Sequence, residues 1–512
     1  MILIAGCTGR PEVTVEGETL RGDRLAGTEI AVFRGVPFAE PPVGDLRWRA
    51  PEPYVAKTAS RDAAEFAPAC MQSMGILEWY RDMAEIFGST RDEFADLHTS
   101  EDCLYLNIWT PSLGAEAPVP VMVYIHGGSN DSGWAYEPDY RGHVLAERGV
   151  VLVSIAYRLG AFGFLSHPET EGDAVANFGL WDQLAALKWL REHIAKFGGD
   201  PERITLFGES AGAQDVLALM ASEQARGLFH GAILQSNAGF GLGSRGAPTL
   251  ASERQRGVET AALFGFEEPD AWQMLKKVPA AELLQRYEEA FPDYYHSPAV
   301  DGQLLKETIW QTIEAGQLAD IPFIIGSNGN EWYDSVPANA GPDDLQVAIE
   351  QSEFLAAGET HEVFRGGTDY RSAMDRLRAA NGMVCPSQHL AARYDGAWVY
   401  YFTRIRDGEG GARVRAYHGA ELPYTFGTHP DWMTTTDVDR ALTDDILSYW
   451  TRFAATGNPN GYGTPEWPEF GGPDSKVMVF GDEAQPGDAP EPELCRIFQA
   501  SVAPLHAQAE PQ

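Results

Sequence analysis

Positive charge is scarce in this sequence. Seven lysines and 31 arginines stand against 74 acidic residues, which gives a formal net charge of −36 at pH 7. A chain this acidic repels phosphate groups, so nucleic acids and anionic membranes are not expected partners. We interpret the excess acid as a solvated surface that favours solubility; adaptation to a salt-rich habitat is the second interpretation.

Long apolar runs, internal repeats and low-complexity linkers are absent as well. No run approaches the eighteen residues that a membrane-spanning helix needs, so no span is expected. A hydrophobic content of 44% is ample for a large core, and we predict a single domain over residues 12–512. Only the acidic stretch after about Gly481 and the last residues, 506–512, have the composition of disordered tails.

Cysteine is rare and unclustered. None of the five cysteines belongs to a CxxC pair or a group with histidine, so neither a metal nor a cofactor is expected. Cys7 ends the stretch IAGC, which matches the pattern before a bacterial lipid-modified cysteine but lacks a charged region and a long apolar region before it. Residues 1–11 are therefore either a signal remnant with a lipid anchor at Cys7 or a chance apolar start.

Apolar, β-rich runs alternate with helix-like stretches along the chain. The predicted strands cover residues 118–128, 149–158, 203–210, 230–239, 320–328 and 397–403. Such strands, separated by amphipathic stretches such as 180–198, predict an α/β fold with a large, mostly parallel sheet covered on both faces. Antiparallel strands are expected at 12–23 and 30–39. Helical insertions at 240–320 and 335–395 should cap the carboxyl edge of the sheet, where ligands bind.

The stretch FGESAGAQD places Ser210 between two glycines, after a predicted strand and before a predicted helix. This context is typical of a nucleophile elbow, whose tight turn lifts the serine hydroxyl above the sheet. The start of the helix also directs N–H groups towards a developing oxyanion. We therefore predict that Ser210 is a nucleophile and not part of an ordinary Gly-rich turn.

Two motifs carry a resemblance to a known family. FGGDPERITLFGESAG (197–212) and EDCLYLNIWTP (101–111) resemble the two signatures of the type-B carboxylesterases, which include cholinesterases and bacterial para-nitrobenzyl esterases. Further similar stretches extend the resemblance over roughly residues 12–480. It implies an α/β-hydrolase fold, a small-molecule ester as substrate, an acyl-enzyme intermediate and no cofactor.

A nucleophilic serine needs a base, and the base needs an acid that orients it. We predict His418 as the base because it follows the last predicted core strand and because AYHGAELPYTFG resembles the family's histidine loop. Glu331, in GSNGNEW, resembles the family's acid, although Trp332 stands where the family has glycine. Asp334 is the runner-up acid.

IHGGSND follows a predicted strand and resembles the family's HGGG loop. The resemblance implies an oxyanion hole formed by the N–H groups of Gly128, Ser129 and Ala211. Ser129 replaces the last glycine, and Asn130 and Asp131 replace residues that are usually apolar. These polar residues predict a pocket that tolerates more polar or charged esters than is usual in the family.

Two carboxylates flank the elbow. Glu209 matches the glutamate that precedes the nucleophile in the family. The resemblance implies that this glutamate is buried and tunes the electrostatics of the site. Asp215 stands where the family usually has serine. We expect it to be an acid in the first turns of the helix that the helix dipole favours, without a role in the reaction. The alternative is an acceptor near His418 or Glu331, where clustered carboxylates would raise at least one pKa.

The resemblance also implies a disulfide between Cys70 and Cys103, which closes an aromatic-rich loop over the active-site gorge. Two reduced, buried cysteines are the alternative for a cytoplasmic enzyme. With the IAGC start, the pair favours an extracytoplasmic location: periplasmic, secreted or lipid-anchored. Cys385 and Cys495 are expected to be free, and the protein is expected to be a monomer or dimer.

Two other functions stay open. An amide or carbamate hydrolase would use the same three residues, and a non-catalytic, adhesion-type binding protein would share the fold without the serine. The presence of Ser210, Glu331 and His418 argues against the second function.

Overall fold

The structure is a computed structural model that describes residues 9–236, 247–267, 269–292, 294–352, 355–472 and 474–506. Cys7, and with it the predicted lipid-attachment site, lies outside the described residues, as do residues 507–512 of the expected C-terminal tail.

An eleven-stranded sheet forms the centre of the described part of the chain. Its strands are β3 (Asp23–Arg24), β4 (Ala31–Pro37), β8 (Tyr105–Thr110), β9 (Val119–Ile125), β10 (Val151–Ile155), β11 (Gly199–Glu209), β12 (Gly231–Gln235), β13 (Phe323–Asn328), β14 (Ala397–Phe402), β15 (Lys476–Phe480) and β16 (Ala484–Asp488). They lie side by side in the order β16-β15-β14-β13-β12-β11-β9-β10-β8-β4-β3. Two small sheets join β1 (Glu12–Val15), β2 (Glu18–Arg21) and β5 (Ser60–Asp62), and β6 (Ala69–Cys70) with β7 (Thr99–Ser100).

The strands from β10 to β15 in this order pair in parallel, whereas the outer strands pair antiparallel. The predicted α/β-hydrolase architecture, with a mostly parallel sheet and antiparallel strands near the N-terminus, is confirmed. All residues of β10, β12 and β13 are buried. Burial on both faces explains why these strands are continuous apolar runs without alternation.

Helices cover both faces of the sheet. Their bounds are α1 (Gly75–Ile86), α2 (His143–Glu147), α3 (Gly160–Phe164), α4 (Phe178–His193), α5 (Ala211–Ala221), α6 (Leu250–Leu263), α7 (Ala271–Leu275), α8 (Ala280–Ala290), α9 (Ile309–Glu314), α10 (Pro342–Gln351), α11 (Ala357–Val363), α12 (Tyr370–Ala379), α13 (Cys385–Ala391), α14 (Glu409–Val414), α15 (Leu422–Phe426), α16 (Asp437–Thr456) and α17 (Pro492–His506). Among the described residues, no helix combines the length and apolar character that crossing a bilayer requires.

Alternate residues of β9 divide the core in two. Val121 and Val123 pack in one cluster with residues of α4 and α5, whereas Met122 and Tyr124 pack in the other with residues of α16. This follows from the pleat, which turns successive side chains to opposite faces. The helix α16 begins at a capping box with Thr436 as its N-cap and ends at a glycine in the left-handed region.

The C-terminal region corrects two expectations. The acidic stretch after Gly481 is ordered, because β16 pairs antiparallel with β15 and α17 buries Leu494, Ile497 and Phe498. The expectation that Cys385 and Cys495 are free is wrong, since a disulfide joins them and ties α17 to α13. Sequence composition missed β16 because this edge strand exposes most of its residues and offers few apolar positions.

Candidate active site

Ser210 occupies the turn between β11 and α5. Its backbone lies at φ 57° and ψ −125°, a conformation that costs a non-glycine residue about 1–3 kcal/mol. Two hydrogen bonds hold the turn: the Ser210 N–H donates to the Gln235 carbonyl at 2.9 Å, and the Gln214 N–H donates to the Ser210 carbonyl at 3.1 Å. Gly212 permits the close approach of β9, since a Cβ there would lie 2.1 Å from the Ile125 carbonyl oxygen.

His418 connects Ser210 to Glu331. The Ser210 hydroxyl lies 2.8 Å from His418 Nε2, and His418 Nδ1 donates to Glu331 Oε2 at 2.7 Å. Glu331 is fully buried, whereas 26% of the His418 side chain is exposed. The arrangement can pass a proton from the serine to an imidazole that is accessible to a ligand and anchored from behind.

Further donors fix the orientation of Glu331. Its Oε1 accepts from the Ser236 hydroxyl at 2.7 Å and from the Asn328 N–H at 2.6 Å. Asp334, the runner-up acid, accepts from the N–H of Ser335. Sequence reasoning missed Ser236; the available signal was its position directly after β12, the strand between β11 and β13 that carry the turns of Ser210 and Glu331.

Glu209 is a second carboxylate at the imidazole. Its Oε1 lies 3.2 Å from His418 Nε2, and its side chain is buried, as the resemblance implied. Burial raises the pKa of Glu209 to about 8, against the opposing charge of His418. Burial also lowers the pKa of His418, but the charge of Glu209 and the hydrogen bond to Glu331 outweigh it and raise this pKa to about 10. The pair of carboxylates therefore favours the imidazolium.

The loop that follows β9 lies against the elbow. A Cβ on Gly127 would stand 2.6 Å from the Glu209 carbonyl oxygen and 3.0 Å from Ser210 Cβ. Within the described residues, the backbone N–H groups of Gly128 and Ser129 donate to no acceptor of the protein. The N–H of Ala211, first in α5, has no acceptor inside its helix. Three candidate oxyanion donors thus come from segments that meet at the serine.

Asp215 lies in the second turn of α5, two residues beyond Ala213, the last residue whose N–H the helix leaves unpaired. Its carboxylate is fully buried and accepts from the side-chain amides of Asn130 and Gln183. Neither partner that the alternative expectation named, His418 or Glu331, takes part in these bonds. Burial raises the pKa of Asp215 to about 7, with the two amide donors opposing it.

The expected contribution of Asn130 to a polar pocket is wrong. Asn130 is fully buried. Its backbone lies in the left-handed region, at φ 57°, and its side-chain amide donates to Asp215 and to the His296 carbonyl inside the protein. Ser129 is exposed, and the Asp131 side chain is 30% exposed. These two residues carry the polar character of the loop.

Aromatic side chains lie on and near the imidazole. The ring of Trp332 stacks on His418 with centroids 5.7 Å apart and planes 12° apart. A disulfide joins Cys70 and Cys103, and the loop between them contains α1, whose Trp79 lies 6.0 Å from the ring of Tyr417. The loop therefore forms an aromatic wall next to the histidine.

In the part of the chain that the structure describes, one group of side chains could ligate a cation. Glu16, Glu192 and His193 each place a ligand atom within 4.8 Å of the others, at the C-terminal end of α4. The two glutamates are exposed and His193 is buried. None of the three contacts the serine elbow.

The parallel sheet, the serine elbow and the strand-end acid together define an α/β-hydrolase. The chain belongs to the carboxylesterase family, whose model matches residues 9–498. It is accordingly a carboxylic ester hydrolase, and membership implies small-molecule esters as substrates.

Individual relatives are similar over nearly the whole chain. A fumonisin B1 esterase from Sphingopyxis macrogoltabida is 33% identical over 95% of this chain and 90% of its own length. A medium-chain fatty acyl-CoA hydrolase precursor from Anas platyrhynchos is 31% identical, over 92% of this chain and 90% of that protein. A solved structure of PNB esterase superposes with a TM-score of 0.80 at 29% identity, over 96% of this chain and 99% of the other.

Proposed function

We propose that this carboxylesterase works through a covalent acyl-enzyme on Ser210, with His418 as general base and Glu331 as the acid that orients it. The observation that carries the proposal is the unbroken series of contacts from Ser210 Oγ to His418, at 2.8 Å, and from His418 to Glu331, at 2.7 Å. The distances suit direct proton transfer.

The proposed reaction has two halves. Ser210 Oγ attacks the ester carbonyl carbon while His418 Nε2 takes the hydroxyl proton, and the carbonyl electron pair moves to the oxygen. As the tetrahedral intermediate collapses, the alcohol leaves with the proton from His418. Water then attacks the acyl-enzyme in the same way, which releases the acid and returns the proton to Ser210. Glu331 orients His418 and stabilises the imidazolium throughout.

The tetrahedral oxyanion needs hydrogen-bond donors. The N–H groups of Gly128, Ser129 and Ala211 supply them in this proposal. Its support is that these N–H groups lack acceptors in the described part of the chain and that Gly127 packs directly on the elbow. Each such donor contributes a factor of about 10²–10³ to kcat in serine hydrolases.

A burst experiment tests the proposal. Wild-type enzyme mixed with excess para-nitrophenyl acetate should release close to one equivalent of para-nitrophenol per active site before the steady state. Ser210→Ala should abolish the burst and reduce kcat by roughly 10⁴–10⁶-fold. Ser112→Ala removes another buried serine hydroxyl, which bonds the Gly198 carbonyl, and should retain the burst. A burst from Ser210→Ala would overturn the assignment.

The substrate class is proposed to include bulky and polar esters. Exposed Ser129 and partly exposed Asp131 give the rim of the site its polar character. Relatives named for fumonisin B1 and for fatty acyl-CoA indicate that this sequence type accommodates large substrates.

An ester panel that varies acyl length and charge tests the substrate class. We expect kcat/KM for esters with a hydroxylated or charged acyl group to fall less than tenfold below that of the matched alkyl ester. Rejection of every polar ester by more than 10³-fold would overturn this proposal. Faster cleavage of an anilide than of the ester of the same acid would instead favour the amide hydrolase.

An extracytoplasmic location is part of the proposal. Two disulfides support it, because such bonds persist in oxidising compartments. Lipid attachment at Cys7 is the proposed anchor for the lipid-anchored form, and mass spectrometry of the N-terminal peptide from native cells tests it. Light scattering of the purified protein tests the expected monomer or dimer.

A further inference from the structure

We propose that Asp215 is a positioning residue for catalysis, which acts through Asn130 to hold the oxyanion loop, residues 126–133, against the nucleophile elbow. The inference rests on the proposed function, because the loop needs exact placement only if its N–H groups stabilise an oxyanion at Ser210.

The carboxylate of Asp215 joins three segments. Its Oδ1 accepts from Asn130 Nδ2 at 3.1 Å, and its Oδ2 accepts from Gln183 Nε2 at 2.6 Å. Asp215 belongs to the helix that starts at the nucleophile, Gln183 belongs to α4, and Asn130 belongs to the loop. All three residues are at least 99% buried. A displacement of the loop relative to α5 would therefore break a buried hydrogen bond.

Asn130 has no free polar atom in its side chain. Its Nδ2 also donates to the His296 carbonyl at 3.0 Å, and its Oδ1 lies 3.1 Å from the hydroxyl of Tyr157. The Asn130 carbonyl accepts from the Gly160 N–H at 2.7 Å. Asn130 is thus the anchor of the loop, and Asp215 supplies the carboxyl acceptor of that anchor.

The loop needs an anchor because its backbone is strained. Gly128, Ser129 and Asn130 follow one another in the left-handed region, at φ 93°, 58° and 57°. The conformation is ordinary for glycine, but it is strained for a residue such as Ser129. Strained backbone persists only where its surroundings hold it. Loss of the anchor would let the loop relax, and the N–H groups of Gly128 and Ser129 would move.

Two features argue against a merely structural carboxylate. Asp215 is buried with two neutral amide partners and no cation among the described residues, although an uncompensated charge is costly to bury. Asn130 and Asp215 are also two of the four positions near the elbow, with Ser129 and Asp131, where this sequence departs from the residues usual in the resembling family. The structure brings the two departures into direct contact.

The test separates placement of the loop from folding. Asp215→Ala should lower kcat per titrated active site by roughly 10–100-fold, less than the loss of a whole oxyanion donor, with KM within threefold. Asp215→Asn keeps an acceptor for Asn130 and should recover most of kcat. Inhibition by a trifluoromethyl ketone, which forms a tetrahedral adduct, should weaken by the same factor as kcat/KM.

The matched control is Asp301→Ala. Asp301 is a buried carboxylate that likewise accepts from an asparagine amide, that of Asn177, away from the elbow. This variant should lower Tm without changing kcat per titrated site.

Asn130→Gly tests the same anchor from the side of the loop, because it keeps the left-handed backbone and removes the anchoring side chain. Its loss of kcat should match that of Asp215→Ala, and the double variant should lose no more kcat than either single variant.

The outcomes are distinguishable. If the wild type gives an ester burst but Asp215→Ala and Asn130→Gly keep wild-type kcat and ketone affinity, or if their losses add, the positioning role is wrong while the esterase mechanism stands. If the wild type gives no burst, the proposed mechanism itself fails. Should Asp215→Ala fail to fold, Asn130→Gly and Asp215→Asn decide the matter by the same two measurements.

Discussion

Glu209 Oε1 lies 3.2 Å from His418 Nε2, the same ring nitrogen that contacts the Ser210 hydroxyl at 2.8 Å. With Glu331 on Nδ1, the imidazole has a carboxylate at each nitrogen. The positive charge that His418 gains on accepting a proton is therefore matched on both sides. The same contacts raise the pKa of His418 above its ordinary value, which has a consequence for the pH profile.

We expect Glu209→Gln to shift the acid limb of the kcat/KM profile to lower pH. The proposed base, His418, can accept a proton only when its ring is unprotonated, so the rate should fall as pH drops below its pKa. The charge of Glu209 raises that pKa, and removing the charge must lower it. Stopped-flow assays with a neutral ester from pH 5 to 11, corrected for spontaneous hydrolysis, measure the limb in both proteins.

A control carboxylate separates this effect from a general loss of charge. Glu253→Gln alters a buried glutamate whose partner is Tyr294, on the helical insertion, and should leave the limb in place. An unchanged or higher limb in Glu209→Gln would contradict the assignment of the raised pKa to this residue.

The disulfide between Cys385 and Cys495 should stabilise the fold without affecting chemistry. It spans 110 residues, and closing a loop of that length in the unfolded chain contributes up to about 5 kcal/mol in the chain-entropy model. The double variant Cys385→Ser, Cys495→Ser should therefore unfold at clearly lower temperature in calorimetry, with kcat and KM within twofold at 25 °C. A large loss of kcat at full folding would show that α17 affects the site.

The sequence predicts structural features that short, continuous segments encode, and it does not predict features that depend on contacts between distant segments. The turn at Ser210 was predictable because strand, turn and helix follow one another within about twenty residues, and the parallel strands were predictable as apolar runs. The bond between Cys385 and Cys495 depends on packing between segments 110 residues apart, which no local pattern encodes. The Asn130 side chain points into the protein because its backbone is left-handed, and the sequence of a polar loop does not predict that conformation.

Ser236→Ala should reduce kcat about 3–30-fold. The hydroxyl donates to Glu331 Oε1, and a hydrogen bond to a charged group is worth about 1.5–3 kcal/mol, part of which the remaining Asn328 N–H preserves. Ser236→Cys keeps a weak donor of similar size without the β-branching that the backbone at φ 45° disfavours, and its kcat should fall between those of the Ala variant and the wild type. Steady-state kinetics normalised to titrated active sites measure both variants, and an Ala variant with unchanged kcat would show that Asn328 alone suffices.

Trp332 stands where the resembling family has glycine, and its ring is stacked on the imidazole of His418, the proposed base. A parallel aromatic face restricts the tilt of the ring and attracts the imidazolium, an effect of about 0.5–2 kcal/mol for cation–π contacts. We expect Trp332→Gly to lower kcat roughly 2–30-fold and to shift the acid limb to lower pH, because the protonated ring loses a favourable neighbour. Trp332→Phe should keep most of both properties. If Trp332→Gly instead matches the wild type in kcat and pH profile while KM for bulky esters changes, the indole serves as a pocket wall and not as a support for His418.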